Sequence, residues 1–166
     1  MYLTINLNST HDKSGFFCGK ESLDNYLKAQ ATQDIKRKLS VCYVLPDSKS
    51  NTIKGYYTLS NSSIPLKLVP EAIRLKLPKT YINIPTILLG RLAINVQSQK
   101  QGIGKLLLID ALKRCYYSSK IIGSFAVIVD PLDDEAELFY ANFGFIKLPD
   151  SRKMFLTMKT IELLFH

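Results

Sequence analysis

The chain has 166 residues, 46% hydrophobic and 22% charged, the balance of one ordinary globular domain. Lys and Arg total 22 against 14 Asp and Glu, a formal net charge of +8. This excludes an acidic solvating protein and favours an anionic partner: nucleic acid, a phosphorylated cofactor or an acidic protein segment. A chain of this length buries enough surface to fold without disulfide or metal. Cys18, Cys42 and Cys115 are odd in number with no CxxC pair, which argues against a disulfide framework; His11 and His166, at opposite ends, argue against a zinc site. The N-terminal MYLTINLNSTHDK lacks a basic-then-apolar signal layout, and no apolar run approaches ~18 residues. The expectation is a soluble cytoplasmic α/β protein with reduced thiols, residues 1–166 forming a single domain.

Taken in chain order, the alternation at Tyr2 to Leu7 predicts a first strand. Ser22 is placed to cap a helix running to about Arg37, with Leu23, Tyr26, Leu27, Ala31 and Ile35 on its apolar side. Ser40 to Leu45 and Ile53 to Asn61 read as a hairpin around Pro46-Asp47-Ser48. A proline-rich stretch follows, with a short helix at Glu71 to Leu75. Thr86 to Asn95 reads as a strand, Gly104 to Ser118 as a long helix, and the fully apolar Phe125 to Val129 as a central strand covered on both faces. These three form a βαβ unit. Asp133 caps a helix to about Asn142 with Gly144 as its stop, Met154 to Met158 is a last strand, and a short helix follows from Thr160.

The stretch that carries chemistry is Gln99-Lys100-Gln101-Gly102-Ile103-Gly104-Lys105, between a strand and a helix. Two glycines one residue apart let the backbone curl and expose its amides. With the helix dipole, and with Lys100 and Lys105 nearby, they make an anion cradle. A Walker A loop is excluded because Leu106 stands where Ser or Thr must hold magnesium; a dinucleotide fingerprint fails because Leu107 replaces its third glycine. What remains is Q-x-x-G-x-G.

That loop resembles the pyrophosphate loop of the GNAT N-acetyltransferases. Two further motifs match in order: Leu89-Gly90-Arg91-Leu92-Ala93-Ile94 looks like the family's fourth strand, and Phe139-Tyr140-Ala141-Asn142-Phe143-Gly144-Phe145 like its F-Y-x-x-x-G-F helix end. Phe17-Cys18-Gly19, Leu23-Asp24-Tyr26-Leu27, Gly55-Tyr56-Tyr57-Thr58-Leu59 and Lys159-Thr160-Ile161-Glu162 extend the likeness to the GNAT toxins of bacterial toxin–antitoxin pairs. The resemblance implies a mixed, mostly antiparallel sheet with helices on both faces and a V-shaped split between strands 86–95 and 125–129. It implies acetyl-CoA as cosubstrate without a metal, acetylation of the α-amine of aminoacyl-tRNA, a ribbon-helix-helix antitoxin and a homodimer. Two alternatives stay open: an N-acetyltransferase of a small amine or protein N-terminus, and a non-catalytic acetyl-CoA-binding or protein-interaction module.

By the same resemblance Tyr140 is the general acid for the departing thiolate. The backbone N–H near Ala93 or Ile94 polarises the thioester carbonyl. Leu92, Ala93 and Ile94 meet the pantetheine through main-chain atoms; Gln99 and the amides from Gln101 to Lys105 line the pyrophosphate, and Asn142 hydrogen-bonds the cofactor. Lys36, Arg37, Lys38, Arg74, Lys76, Lys79, Arg91, Arg152 and Lys153 are candidates to track RNA phosphates. Arg91 is the sharpest of these, with a carboxylate such as Glu137 as its other candidate partner. Cys115 reads as a small core residue.

Overall fold

The computed structural model describes residues 1–166. Seven strands are hydrogen-bonded in the order β1-β2-β3-β4-β5-β7-β6: β1 Ile5–Asn6, β2 Val41–Pro46, β3 Ile53–Pro65, β4 Asn83–Ile94, β5 Ala126–Val129, β6 Ile146–Lys147 and β7 Met154–Thr157. The pairings β1–β2, β2–β3, β5–β7 and β6–β7 are antiparallel, so the sheet is mostly so. The chain divides into two compact units, residues 1–60 with 89–112 and residues 61–88 with 113–166.

In the first unit, β2 and β3 form the expected hairpin, Val44 opposite Tyr56 and Tyr43 opposite Tyr57. Residues 55–58 of β3 are all buried, the pattern of a strand covered on both faces. Strand β1 is shorter than the expected Tyr2 to Leu7, because neighbouring polar groups are drawn elsewhere. The Leu3 amide donates to Asp110 Oδ1 at 2.6 Å and the Thr4 hydroxyl to Asp110 Oδ2 at 2.6 Å. The first helix also departs from expectation. It begins at Glu21 without a side-chain cap, so Ser22 caps nothing; Asp24 instead reaches back to accept the Cys18 amide at 2.8 Å. Its segments are α1 Glu21–Asn25, a π-helical turn at Tyr26–Gln30 and α2 Ala31–Lys36. Leu39 N–H to Asp34 C=O and Lys38 N–H to Ile35 C=O close it as a Schellman stop, with Lys38 left-handed at φ +62°.

Tyr56, Phe16, Tyr26, Leu27, Val44 and Ala93 share this unit's core. Gly55 sits in its densest part: a Cβ there would lie 2.7 Å from Leu107 Cδ1, 2.8 Å from Ile94 Cδ1 and 3.0 Å from the Ala93 carbonyl. Two flexible side-chain tips can yield but the carbonyl cannot, so Gly55→Ala is expected to destabilise by about 1–3 kcal/mol, read as a lower urea midpoint at unchanged m.

In the second unit, β5 is buried at all four positions, as expected of a central strand. Strand β4 starts before the expected Thr86: Pro85, which lacks an N–H, still offers its carbonyl to Phe125 N–H at 2.8 Å. The short helix α3 spans Glu71–Arg74, α5 spans Asp134–Asn142 and α6 spans Met158–Glu162, capped by Thr157 rather than starting at Thr160. Helix α5 starts where expected, with Asp133 accepting from Ala136 N–H at 2.9 Å. Helix α4, Ile103–Ser119, runs from the first unit into the second. No helix is long and apolar enough to cross a membrane. Cys18, Cys42 and Cys115 are free and buried, and burial pushes their thiols up to about 11, 12 and 12 respectively, so none is a ready nucleophile.

Candidate active site

The loop from β4 to α4 is built by its own side chains. Asn95 Oδ1 accepts from Gln97 N–H at 3.2 Å and starts a 3₁₀ turn, Val96–Ser98. Val96 N–H donates to the Phe17 carbonyl at 2.8 Å. The Gln99 amide nitrogen then donates twice, to the Ile94 carbonyl at 2.8 Å and the Cys18 carbonyl at 2.8 Å. The Gln99 amide group, expected at the pyrophosphate, is therefore a staple joining the end of β4 to the Phe17-Cys18-Gly19 segment. It also takes the Ile94 carbonyl, at the last residue of β4.

Beyond the staple, the backbone turns left-handed at Lys100, φ +61°, and again at Gly102, φ +78°, before α4 begins. Such a conformation costs a non-glycine residue about 1–2 kcal/mol, and at Lys100 it is held against that cost. The first helical hydrogen bond is Leu106 N–H to Gly102 C=O, so the amides ahead of it have no intrahelical partner. Those of Gln101, Gly102, Ile103 and Gly104 donate to no protein atom. A Cβ on Gly102 would meet nothing within 4 Å. Four unpartnered amides, open space above them, and exposed Lys100 and Lys105 fit the diphosphate of a coenzyme in donor type and in charge. Ala93 is buried, so a cofactor contact there falls to its main-chain atoms, while Leu92 and Ile94 are half-buried.

In the second unit, the motif around Tyr140 is a helix stop. Phe145 N–H donates to the Tyr140 carbonyl and Gly144 N–H to the Ala141 carbonyl, with Gly144 left-handed at φ +94°. This Schellman arrangement brings the Phe145 ring to 5.3 Å from that of Tyr140, and Phe139 packs at 5.3 Å. Tyr140 is only 7% exposed, yet its hydroxyl bonds no protein group. That oxygen is not sealed off either, since Thr86 Oγ1 is the one sealed side-chain polar atom without a partner. Burial alone raises the phenol's pKa, so it stays protonated and able to donate. Asn142, at the end of α5, is exposed.

The basic candidates differ in setting. Lys36, Arg37 and Lys38 are exposed at the helix stop, Lys76 and Lys79 on the proline-rich stretch, and Lys153 before β7. Arg74 is tied to the Lys67 and Val69 carbonyls at 3.2 and 3.4 Å. Arg152 pairs with Asp134 at 3.0 Å and Glu137 at 3.7 Å, and Lys147 takes the other Glu137 oxygen at 3.2 Å. Arg91 therefore does not use Glu137; its guanidinium carbon lies 3.5 Å from the centroid of the Tyr26 ring. Neither the Gln99 staple nor the seat on Tyr26 was foreseen from sequence, although the Phe17-Cys18-Gly19 and Leu23-Asp24-Tyr26-Leu27 motifs lie at both.

No protein-family model matches the sequence. A tRNA-acetylating toxin of Mycobacterium tuberculosis (strain ATCC 25618 / H37Rv) is 34% identical over 154 residues, 92% of this chain and 90% of the relative. The structure of the toxin AtaT complexed with acetyl-methionyl-tRNAfMet superposes with a TM-score of 0.90 at 31% identity, covering 98% of each chain. A tyrosine-to-phenylalanine mutant of AtaT, bound to the C-terminus of the antitoxin AtaR and to acetyl-CoA, matches with a TM-score of 0.81 at 29% identity over 98% of this chain and 96% of that one. With this likeness along nearly the whole chain, the protein belongs to the tRNA-acetylating toxins, acetyltransferases of the GNAT fold.

Proposed function

We propose that the chain, acting as one acetyltransferase domain, transfers the acetyl group of acetyl-CoA to the α-amine of aminoacyl-tRNA and so blocks translation. The observation that carries this reading is the full-length match to AtaT in complex with acetyl-methionyl-tRNAfMet. Acetyl-CoA supplies the acetyl group as an activated thioester. The amides of Gln101 to Gly104 hold its diphosphate, and the main chain at Leu92, Ala93 and Ile94 holds the pantetheine arm and polarises the thioester carbonyl. An α-amine has a pKa of about 8, so a useful neutral fraction exists near neutral pH without a strong protein base. As the C–N bond forms and the C–S bond breaks, the Tyr140 hydroxyl gives its proton to the leaving sulfur, and the proton shed by the acylated nitrogen passes to solvent, which returns one to the phenolate.

The acceptor is held by basic side chains, and its binding weakens with salt as counterions return to the RNA. Of the sequence candidates, Lys36, Arg37, Lys38, Lys76, Lys79 and Lys153 are exposed for this role, whereas Arg152 already serves a carboxylate pair. The partner is a ribbon-helix-helix antitoxin, the working form is a homodimer, and the site of action is the cytoplasm, where charged tRNA is found. The test is labelled acetyl-CoA offered with charged tRNA, deacylated tRNA, small amines and peptides. Label on charged tRNA alone is expected; label on free amines or peptides alone would sink the reading.

A further inference from the structure

Arg91 has no hydrogen-bonding or ion-pair partner in the protein, although it is half-buried on β4. Its only close packing partner for the charge is the Tyr26 ring, 3.5 Å from the guanidinium carbon to the centroid. A guanidinium lying flat on a ring turns its N–H edge outward, in the plane that grips a phosphate with two parallel hydrogen bonds. The fork is left without a protein partner and open to a ligand.

The ring beneath it is itself fixed. Tyr26 Oη donates to Asp34 Oδ2 at 2.8 Å, and both residues are buried. Eight residues apart, they would point about 80° from each other around a regular α-helix. The π-helical turn, marked by Ala31 N–H donating to the Tyr26 carbonyl, inserts one residue, so the pair behaves as if seven apart and falls within about 20° of one face. Tyr26 also stacks on Tyr56 with planes 15° apart, and Tyr56 Oη donates to the Leu23 carbonyl at 2.7 Å. Burial and the Asp34 bond push the Tyr26 phenol up to about 12, so it remains a donor.

We propose that Tyr26 and Asp34 are positioning residues that hold Arg91 as a phosphate clamp for the 3′-terminal phosphodiester of the charged RNA. Arg91 lies two residues before Ala93 on the same strand, about 7 Å along β4 from the main chain proposed to hold the thioester. The inference rests on the proposed function. The same phosphate chemistry exists in coenzyme A, so both ligands are measured.

The variants are Arg91→Gln, Tyr26→Leu and Tyr26→Phe, with binding of charged tRNA and of acetyl-CoA titrated separately across salt concentrations, alongside steady-state kinetics. Arg91→Gln is expected to flatten the salt dependence of tRNA binding by about one phosphate contact and to leave the acetyl-CoA Kd unchanged. Tyr26→Leu is expected to raise KM for charged tRNA about tenfold with kcat kept, and Tyr26→Phe, which keeps the ring but loses the bond to Asp34, to raise it by about threefold. Tyr26→Phe and Arg91→Gln preserve most packing and carry the test should Tyr26→Leu fail to fold. An unchanged salt slope in Arg91→Gln overturns the clamp. A raised acetyl-CoA Kd with tRNA binding intact moves the phosphate to the coenzyme and overturns the RNA assignment. A wild type that never labels charged tRNA fails the functional reading first, and is told apart by that measurement.

Discussion

Tyr140→Phe is expected to lower kcat about a hundredfold or more while leaving the thermal midpoint and the acetyl-CoA Kd near wild type. The separation follows from how the side chain is held. The hydroxyl bonds no protein group, so its removal breaks nothing structural. The ring keeps its edge-on packing against Phe139 and Phe145 and its place in the helix stop. What is lost is the proton for the leaving sulfur. Full turnover in this variant would remove Tyr140 from the chemistry; a collapse in stability would make it a core residue and nothing more.

The same assignment fixes the pH profile. Burial raises the Tyr140 pKa above that of an ordinary phenol, so the acid form persists throughout the neutral and mildly alkaline range. The acceptor amine must be neutral, and because the ester linkage lowers its pKa below the ordinary α-amine value of about 8, its neutral fraction has risen to a plateau by about pH 8. The rate at subsaturating acceptor is therefore expected to climb with pH, level off above that value, and show no alkaline decline below about pH 10. A bell centred near neutrality would mean that a different group supplies the proton.

Much of this was legible because it is local. Asp133 as a cap, Gly144 as a stop and the buried run of β5 depend on neighbours in sequence, and all three stand as read. Of the glycine pair, Gly102 takes the left-handed turn, whereas Gly104 lies inside α4 and the other left-handed position is Lys100. Most illegible features need partners far along the chain, and one, the π-helical turn, is local but leaves no mark in the apolar spacing. Tyr2 to Leu7 alternates like a strand, yet Asp110 draws Leu3 and Thr4 away from it. Apolar spacing between Leu23 and Ile35 suits a plain helix, and nothing in it announces the π-helical turn, whose consequence appears only when Asp34 lies beneath Tyr26. Gln99 reads as a ligand of the diphosphate, but its amide group serves Cys18 and Ile94, the former 81 residues away in sequence.

Gly102→Val carries the second large effect, an acetyl-CoA Kd raised about a hundredfold. Gly102 holds φ at +78°, a region that a β-branched residue leaves. A valine there has room, since nothing lies within 4 Å of its Cβ position, so the penalty is conformational rather than steric. The backbone is expected to swing out of the left-handed region and turn the amides of Gly102 and Ile103 away from a common point. Hydrogen bonds to a charged acceptor contribute about 1.5–3 kcal/mol each, and losing one or two of them accounts for the hundredfold loss. Helix α4 begins one residue later and keeps its buried Leu107, Leu108, Ala111 and Leu112, so the fold is expected to lose only about 1–2 kcal/mol. Calorimetric titration with acetyl-CoA, beside a urea melt, checks both halves. Gly102→Ala, with a smaller conformational penalty, should fall between wild type and valine. Wild-type affinity in the valine variant would mean that these amides do not hold the diphosphate.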